Sequence, residues 1–482
     1  MNLRNLTLVL LSASALGACT LAPATVRPAL AVDNAWPIAQ YNPGGANTGS
    51  AVTAADLGWR EVFEDPRLQG VIDLALSNNR DLRVAVLNIE KARAQYRVQR
   101  AALLPGVDAS ASGTRGRQPI DATTTGGATG ATGKVDIESY AAGVGVTSYE
   151  LDIFGRVRSL KDAALQSYLA TRENSRAVQI SLIAETAGAW LNLAADQDLL
   201  ALAQETLSTR DESMTLIRRR FEAGAISQLE VREAETLVEG ARSDVATYLA
   251  QVEQDKNALR LVVGATVPAD LLPAGGLVTA QILPDLPAGL PSDVLTRRPD
   301  VLAAEHGLAG ANANIGAARA AFFPRITLTG SAGAASNDLS SLFDSGNGTW
   351  SFAPRISLPL FAGGANVAGL DSAKASRDIA VAQYEKAVQT AFREVSDGLA
   401  VQATIQDRVG SQERLVAAAN DTVRLSRARY GAGIDSSLSL LDSQRTLYTA
   451  QKGLIGSRLV RATNLATLYK ALGGGAPAAP AT

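Results

Sequence analysis

Residues that build disulfides, metal centres and nucleophilic sites are nearly missing from this chain of 482 residues. It has one cysteine, one histidine and two methionines. A lone Cys and a lone His supply neither a disulfide framework nor a zinc ligand set, and they form a catalytic pair only if they meet in space. Cys19 lies in a targeting segment, far along the chain from His306. The composition therefore argues against an enzyme, and we expect no catalytic residue, no metal and no bound cofactor.

An excess of charge and long apolar runs are also missing. Lys and Arg number 45 against 47 Asp and Glu, a formal net charge of −2. Nucleic-acid binding domains carry a strongly basic surface, so we expect no nucleic-acid partner. No stretch of 18 or more apolar residues follows Cys19, so the mature chain offers no candidate transmembrane helix. A chain of this kind can cross a bilayer only with strands.

The N-terminus has the layout of a secretion signal. Arg4 precedes a short apolar stretch over residues 6–16, and Leu16-Gly17-Ala18-Cys19 resembles a bacterial lipobox. This predicts cleavage before Cys19, a diacylglyceryl group on its thiol and an acyl group on the new amino terminus. Thr20 rather than Asp follows the cysteine, which by resemblance to lipoproteins of enteric bacteria permits sorting to the outer membrane. The alternative is an ordinary signal peptide with an incidental cysteine.

The sequence is internally duplicated. Three landmarks return in the second half, separated by roughly 210 residues: Ala101–Pro105 as Ala320–Pro324, Leu151–Gly155 as Leu358–Ala362, and Arg220–Gly224 as Arg429–Gly433. Repeats of this size build pseudo-symmetric structures, because each copy buries its apolar face against the next.

Each half contains a pair of segments with the alternation of strands, predicted at 104–115, 140–153, 324–334 and 350–361. Each segment is about ten residues long, the length that a tilted strand needs to cross hydrocarbon. The edge of a soluble β-sandwich would show the same alternation. In a bilayer, four strands cannot close by themselves, so copies of the chain must combine, and three copies would supply twelve strands.

Each half also contains a proline-free helical stretch of exceptional length, predicted at 156–222 and 364–430. At 1.5 Å per residue, such a helix is about 100 Å long. Shorter return helices are predicted at 226–263 and 435–472, and the first has a heptad seam typical of a coiled coil: Val231, Ala234, Val238, Ala241, Val245, Tyr248 and Val252. A bundle with a dry core is the alternative, and the shortage of large apolar residues speaks against it.

The predicted organisation is a signal peptide (1–18), a lipid-anchored extended segment (19–56), a first repeat (57–263), a linker with five prolines (264–297), a second repeat (298–472) that opens with a helix at 299–321, and a tail (473–482).

Several motifs together resemble the TolC-like outer-membrane factors, in particular the drug-efflux lipoproteins of the OprM type. They are Tyr149–Arg156, Arg297–His306, Ile315–Pro324, Leu440–Arg445 and Tyr469–Gly475. The resemblance covers nearly the whole mature chain. It implies an α+β membrane protein, with a trimeric twelve-stranded transmembrane β-barrel of four strands per chain, continued by a long periplasmic α-helical coiled-coil barrel.

The resemblance also implies partners and a location. The chain is expected to be a homotrimer in the outer membrane, lipid-anchored and extending into the periplasm. There it would meet a periplasmic adaptor protein and an inner-membrane transporter of the RND type. The implied function is the passive exit duct of a tripartite efflux pump for drugs or other toxic compounds. The alternatives are the exit duct of a type I protein-secretion system, or a lipid-anchored periplasmic spacer that forms no channel.

Two sets of residues are candidates for functional roles in such a duct. The turns between long and return helices contain Gly224-Ala225 and Gly433-Ile434, where small residues leave backbone accessible to an adaptor; ordinary helix-hairpin turns would also contain these glycines. Leu438, Asp442 and Arg445 lie at i, i+4 and i+7, on one stripe of a helix. The resemblance implies that this stripe forms the periplasmic gate. Glu233 is a weaker candidate, because the first repeat has Thr236 in place of Arg445.

Overall fold

The computed structural model describes residues 20–24, 26–29, 32, 58–119, 134–277 and 292–474. The predicted signal peptide, Cys19, most of the predicted anchor segment and the last eight residues lie outside this part of the chain. The chain divides into two compact units. The first unit contains 1–28, 90–171 and 304–383, and the second contains 29–89, 172–303 and 384–482.

Both halves contain the order helix, strand, strand, long helix, return helix, and the first half begins with two additional helices. In chain order they are α1 (Trp59–Val62), α2 (Pro66–Asn78), α3 (Arg80–Ala101), β1 (Asp108–Pro119), β2 (Lys134–Leu151), α4 (Arg156–Glu222), α5 (Gln228–Val263), α6 (Pro299–Ala320), β3 (Arg325–Ser336), β4 (Gly348–Ser357), α7 (Ala365–Gly431) and α8 (Ser437–Ala471), with short 3₁₀ turns at Ala269–Leu271, Ser292–Arg297 and Leu339–Ser341.

The first unit contains one antiparallel sheet with the order β1-β2-β3-β4. Strands of the two halves meet at its centre, where Gly143 of β2 lies opposite Gly333 of β3. A Cβ on Gly333 would lie 2.3 Å from the carbonyl oxygen of Ala142, so this close approach requires glycine. β1 and β4 are the two edges of the sheet, and among the described residues each has a strand partner on one side only.

The limits of the first strand differ from the sequence-based prediction of 104–115. The amides of Leu103 and Leu104 donate to the carbonyls of Arg100 and Ala101, in a turn that delays the strand to Asp108. At its other end, β1 continues to Pro119, because the polar residues there pair with charges directly opposite on β2. Arg115 contacts Glu138 at 2.9 Å, and Arg117 contacts Asp136 through Nη2 and Oδ2 at 2.8 Å. Residues 116–119, which the predicted strand did not include, are therefore the charged end of β1.

The limits of the other strands and of the return helices also differ from the predicted ones, by one to six residues. β2 spans Lys134–Leu151 where 140–153 was predicted, β3 spans Arg325–Ser336, and β4 spans Gly348–Ser357 and ends before Pro359, which has no amide to donate. The return helices begin at Gln228 and Ser437, two residues later than predicted, since Ser227 and Ser436 occupy their N-cap positions.

α4 and α7 each contain 67 residues. The heptad seam of α5 is at the helix contact, since Ala234, Val238, Ala241 and Val252 are buried. On α4, Met214 and Ile217 are buried, but Phe221, next to the turn, is 41% exposed. Among the described helices, none has an apolar stretch that is long enough for a membrane span.

Arg298 ties together three elements of the second unit. It is only 5% exposed. Its guanidinium donates to the carbonyl oxygen of Ala471 at 2.6 Å, to Asp300 Oδ2 at 2.7 Å and to Glu394 Oε2 at 2.8 Å. The Arg-Pro-Asp sequence is thus a structural link from the start of α6 to α7 and to the end of α8.

We predict that Arg298→Met destabilises the protein by about 2–4 kcal/mol, because it leaves a buried carbonyl and two carboxylates without their cation. The measurement is thermal unfolding of the detergent-solubilised protein. The matched control is Arg424→Met, which breaks the exposed Arg424–Asp421 pair on α7. Such a surface pair contributes at most about 1 kcal/mol. Equal destabilisation by the two substitutions would contradict the structural role of Arg298.

Candidate functional site: the tips of the helical hairpins

The two turns that join the long helices to their return helices have the same backbone structure. The amide of Ala225 donates to the carbonyl of Arg220 at 2.9 Å, and Gly224 donates to Phe221 at 2.8 Å. In the second turn, Ile434 donates to Arg429 at 3.0 Å and Gly433 to Tyr430 at 3.1 Å. Both patterns are Schellman motifs, in which the C′ residue is left-handed.

The glycines of these turns satisfy that requirement. Gly224 has φ 70° and Gly433 has φ 75°. A Cβ on either glycine would meet no atom within 4 Å, so the requirement is one of backbone conformation and not of space. The four residues predicted as adaptor contacts, Gly224, Ala225, Gly433 and Ile434, are all exposed. The structure therefore places them at two equivalent, accessible turns.

Side chains close the two turns differently. In the first, Ser227 and Glu230 form a capping box at the start of α5. In the second, Arg429 forms a bidentate ion pair with Asp435, with Nε–Oδ2 and Nη2–Oδ1 distances of 2.6 and 2.8 Å. The hydrogen bond from Arg429 lowers the pKa of Asp435. The second tip thus has a charged closure that the first does not share.

The two hairpins pack against each other just inside the tips. Their common apolar cluster consists of Met214, Ile217, Ala234, Val238, Tyr430, Leu440 and Leu441. Residues from α4, α5, α7 and α8 all take part, so the duplicated hairpins share one core here. Because the cluster contains only seven buried side chains, polar contacts have to support it.

Polar side chains link the hairpins on both sides of this cluster. Ser437, fully buried, donates to Glu230 of the capping box. Gln444 Nε2 donates to Ser213 Oγ at 3.1 Å, and the Tyr448 hydroxyl donates to Asp244 Oδ2 at 2.8 Å. Burial, followed by the hydrogen bond to Asp244, raises the pKa of Tyr448. These contacts fix the register of α8 against α4 and α5.

The predicted gate stripe lies on the opposite face of α8. Leu438, Asp442 and Arg445 are exposed, while Leu440, Leu441 and Gln444 are buried. Asp442 and Arg445 form an ion pair with each other. Leu438 is 57% exposed, which is a large apolar exposure for a residue beside two charges. The structure therefore brings these three residues together on one accessible surface.

Its counterpart in the first repeat has a different chemistry. Glu233 is half-buried, and Leu229 is exposed. The hydroxyl of Thr236, at the position equivalent to Arg445, donates to the carbonyl of Arg232 in its own helix at 2.9 Å. The first repeat thus presents no equivalent Asp–Arg pair at these positions.

Sequence reasoning missed a carboxyl pair further along the same hairpin. Asp255 of α5 lies near Asp196 of α4, and it accepts from Gln251 Nε2 at 3.2 Å. Burial, followed by hydrogen bonding to the Asp255 carboxylate, raises the pKa of Asp196 to about 7. A signal existed, since Asp255 follows Val252 at the next seam position, where an apolar residue is expected.

Comparison with known proteins identifies the chain. A family described as outer membrane efflux protein matches residues 71–265 and 290–474, one stretch in each half of the duplicated sequence. This chain belongs to the outer membrane efflux protein family. The predicted resemblance is thereby confirmed, and so are the α+β class, with four strands per chain, and the outer-membrane location.

Individual efflux proteins match over almost the full length. The chain is 50% identical over 461 residues to the probable efflux pump outer membrane protein TtgC of Pseudomonas putida, covering 95% of this chain and 93% of that protein. It is 44% identical over 467 residues to OprJ of Pseudomonas aeruginosa, covering 97% and 95%. The crystal structure of the open state of the MtrE outer membrane channel of Neisseria gonorrhoeae has 42% identity and a TM-score of 0.83, covering 95% of this chain and 98% of that one.

The Asp196–Asp255 pair predicts a pH dependence of stability. An unfolded aspartate loses its proton near pH 4, whereas native Asp196 keeps it to about pH 7. The native state binds more protons between these values, so stability falls as pH rises from about 4 to about 7. Asp196→Asn removes this loss.

We expect Asp196→Asn to raise the thermal midpoint at pH 8 by about 1 °C, which for a chain of 482 residues corresponds to roughly 1 kcal/mol once solvent screening is allowed for. At pH 4.5 the variant and the parent should unfold at nearly the same temperature. A difference in thermal midpoint between the variant and the parent that does not change with pH would contradict the raised pKa of Asp196.

Proposed function

We propose that the chain is one third of a homotrimeric exit duct, through which a tripartite pump drives small toxic molecules across the outer membrane. Its relatives are named as efflux pump outer membrane proteins. Conduction is passive and needs no catalytic group or cofactor in the duct. The energy comes from an inner-membrane transporter, of the RND type, and a periplasmic adaptor connects that transporter to the duct.

The observation that carries the proposal is the open sheet. β1 and β4 end the sheet order, so within the part of the chain that the structure describes each has one row of backbone groups without a strand partner. Hydrocarbon offers no water to such groups, and each unpaired one costs several kcal/mol. Pairing β4 of one chain with β1 of the next removes the edges, and three chains make a closed wall of twelve strands.

The outer surface of β4 supports a lipid environment. All ten residues of the strand are exposed in the single chain. Trp350 is 81% exposed, and Phe352 and Ile356 are 63% and 69% exposed. These three side chains share one face of the strand, because they are separated by even numbers of residues. A row of aromatic and branched apolar residues is destabilising in water and stabilising in a bilayer.

We also propose that Cys19 carries lipid. Cys19 lies outside the described residues, and a diacylglyceryl and an N-acyl group there would hold the chain to outer-membrane lipid. Two acylated positions on one residue give a stable anchor, whereas a single chain binds reversibly.

We further propose that the second hairpin forms the closed gate. Three copies of the stripe formed by Leu438, Asp442 and Arg445 would surround the axis of the trimer. Each stripe has one apolar residue followed by two charged ones. An exposed Asp–Arg pair can exchange its partner for a neighbouring chain's, so a ring of such pairs can hold helices together and release them. Glu233 would take a smaller part.

The exposed turns at Gly224-Ala225 and Gly433-Ile434 are the proposed adaptor contacts. Ile434 is 64% exposed at the end of a rigid hairpin, so it can be inserted into an apolar groove of a partner. The type I secretion duct is a less favoured function, since the relative TtgC is named as a probable efflux pump outer membrane protein. The four-stranded sheet with its apolar edge argues against a spacer without a channel.

The closed-wall proposal predicts which residues of two chains come together. Within one chain, β1 and β4 are separated by β2 and β3, about 14 Å at the usual strand spacing. A disulfide requires Cα atoms within about 7 Å. A cysteine at Ala111 of β1, combined in turn with cysteines at residues 351–355 of β4, should therefore cross-link only between chains. We expect a ladder of covalent dimers and trimers at the matching register, and monomers alone would contradict the closed wall.

The gate proposal predicts that the double substitution Asp442→Ala with Arg445→Ala raises the closed-state conductance in planar bilayers several-fold, because charged contacts between chains are lost. Asp421→Ala with Arg424→Ala is the matched control, since this pair has the same spacing and is similarly exposed on α7. Unchanged currents in the first variant, or an equal rise in both, would contradict the assignment.

A further inference from the structure

The chain that follows the predicted cleavage site packs along helix α6 in the first unit. We call residues 20–28 the strap; the structure describes all of them except residue 25. At one end, Arg319 Nη1 donates to the carbonyl oxygen of Leu21 at 2.9 Å. At the other, Arg27 forms a two-pronged ion pair with Glu305, with an Nε–Oε1 distance of 3.1 Å.

These contacts fix the direction of the strap. The chain passes from Leu21 to Arg27 while its partners pass back from Arg319 to Glu305, so the strap runs antiparallel to α6. Fourteen residues of helix span about 21 Å, and six residues of extended chain reach about 20–22 Å. Six residues of chain are thus long enough to pass from Arg319 to Glu305 along α6.

Near its Leu21 end, the strap approaches α6 at a glycine. Gly316 lies between Glu305 and Arg319 in the sequence, on the same face of α6, since it is 11 residues from the first and three from the second. A Cβ on Gly316 would lie 2.7 Å from the hydroxyl oxygen of Ser159 on α4, 2.8 Å from the amide nitrogen of Ala22 and 2.9 Å from its Cα. The backbone of the strap thus occupies the space that any other residue would fill.

The strap ends where helix gives way to strand. Arg319 is in the last turn of α6, which ends at Ala320, and β3 begins at Arg325. Leu21 is therefore held at the level at which the proposed membrane-spanning strands start. Two residues of chain reach at most about 7 Å, so the proposed lipid attachment point can lie no farther than this from Leu21.

We propose that the Glu305, Gly316 and Arg319 face of α6 is a docking surface for the strap, and that docking holds the acylated end of the chain at the membrane boundary beside the strands. The second half of this inference rests on the proposed lipid anchor. The first half, the docking itself, does not.

Docking is tested by hydrogen exchange of the N-terminal peptide, measured by mass spectrometry on the full chain in detergent. Arg27→Glu and Glu305→Arg should each speed exchange in the strap about fivefold, because like charges then face each other. The double variant restores the ion pair and should return exchange to within about twofold of the parent. A double variant that exchanges as fast as either single one would overturn the docking surface.

Two glycines of α6 give a matched test of the close approach. Gly316→Ala should speed strap exchange about tenfold or more, because the new methyl group displaces the strap backbone. Gly307→Ala adds the same methyl group to the same helix where no atom lies within 4 Å, so it should change nothing. Parent-like exchange in Gly316→Ala would also overturn the docking surface.

The role in anchoring is tested by combining each strap variant with Cys19→Ala and measuring the fraction of SDS-resistant trimer. In the lipidated chain, Arg27→Glu and Gly316→Ala should lower this fraction at least twofold. In the Cys19→Ala chain they should have no further effect. An equal loss in both backgrounds would overturn the anchoring role, and mass spectrometry of the N-terminal peptide separates that outcome from an absence of lipid on Cys19.

Discussion

The hydrogen-bonding requirement of the peptide backbone in hydrocarbon is the constraint on which the rest of the structure depends. A sheet of four strands satisfies its inner strands and leaves two edges. In water such edges are solvated, but in a bilayer each unpaired group is costly, so only a closed wall is stable. In the proposed trimer, the chain meets that condition through copies of itself. The small residues along β2 and β3, including the Gly143 and Gly333 pair, permit the close strand contact that the wall requires.

The helices face a different requirement, because they surround proposed water-filled space and bury one stripe instead of a full core. Large apolar side chains are few, and small apolar clusters such as the one at the hairpin tips alternate with polar contacts. Arg298, Tyr448 and Gln444 each connect separate helices through hydrogen bonds at 2.6–3.1 Å. Such directional contacts fix the register of long helices, which apolar packing along a uniform seam would leave free to slide.

Much of this architecture could be predicted from periodicity and turn chemistry, since both are local. The helix α4 spans the same residues, 156–222, that the sequence indicated, because it contains no proline and Gly224 ends it. The strand limits were less accurate. The cross-strand ion pairs of Arg115 and Arg117 extend β1 beyond its predicted end at residue 115. Cross-strand partners cannot be read from one strand alone.

The features that sequence reasoning missed depend on contacts between distant residues. The strap has no periodicity, and its partner Glu305 is 278 residues from Arg27. The raised pKa of Asp196 depends on its burial and on the nearby Asp255, and both result from the packing of α4 against α5. For the gate stripe, spacing predicted that Leu438, Asp442 and Arg445 share a face. It could not predict that Leu440, Leu441 and Gln444 on the other face are buried, because that burial depends on packing against α4 and α5.

Duplication also explains why the two hairpins need not share one task. Their turns have the same backbone hydrogen bonds, so the fold of the tip is kept in both copies. Their side chains differ: Ser227 and Glu230 close the first tip, while Arg429 and Asp435 close the second. The capping box also accepts a hydrogen bond from Ser437, so the first hairpin supports the start of the second. A trimer built this way has six hairpins in two classes. One class holds the register while the other, with its exposed Asp442 and Arg445, is free to change partners, so opening need not disrupt the contacts that keep the tips folded.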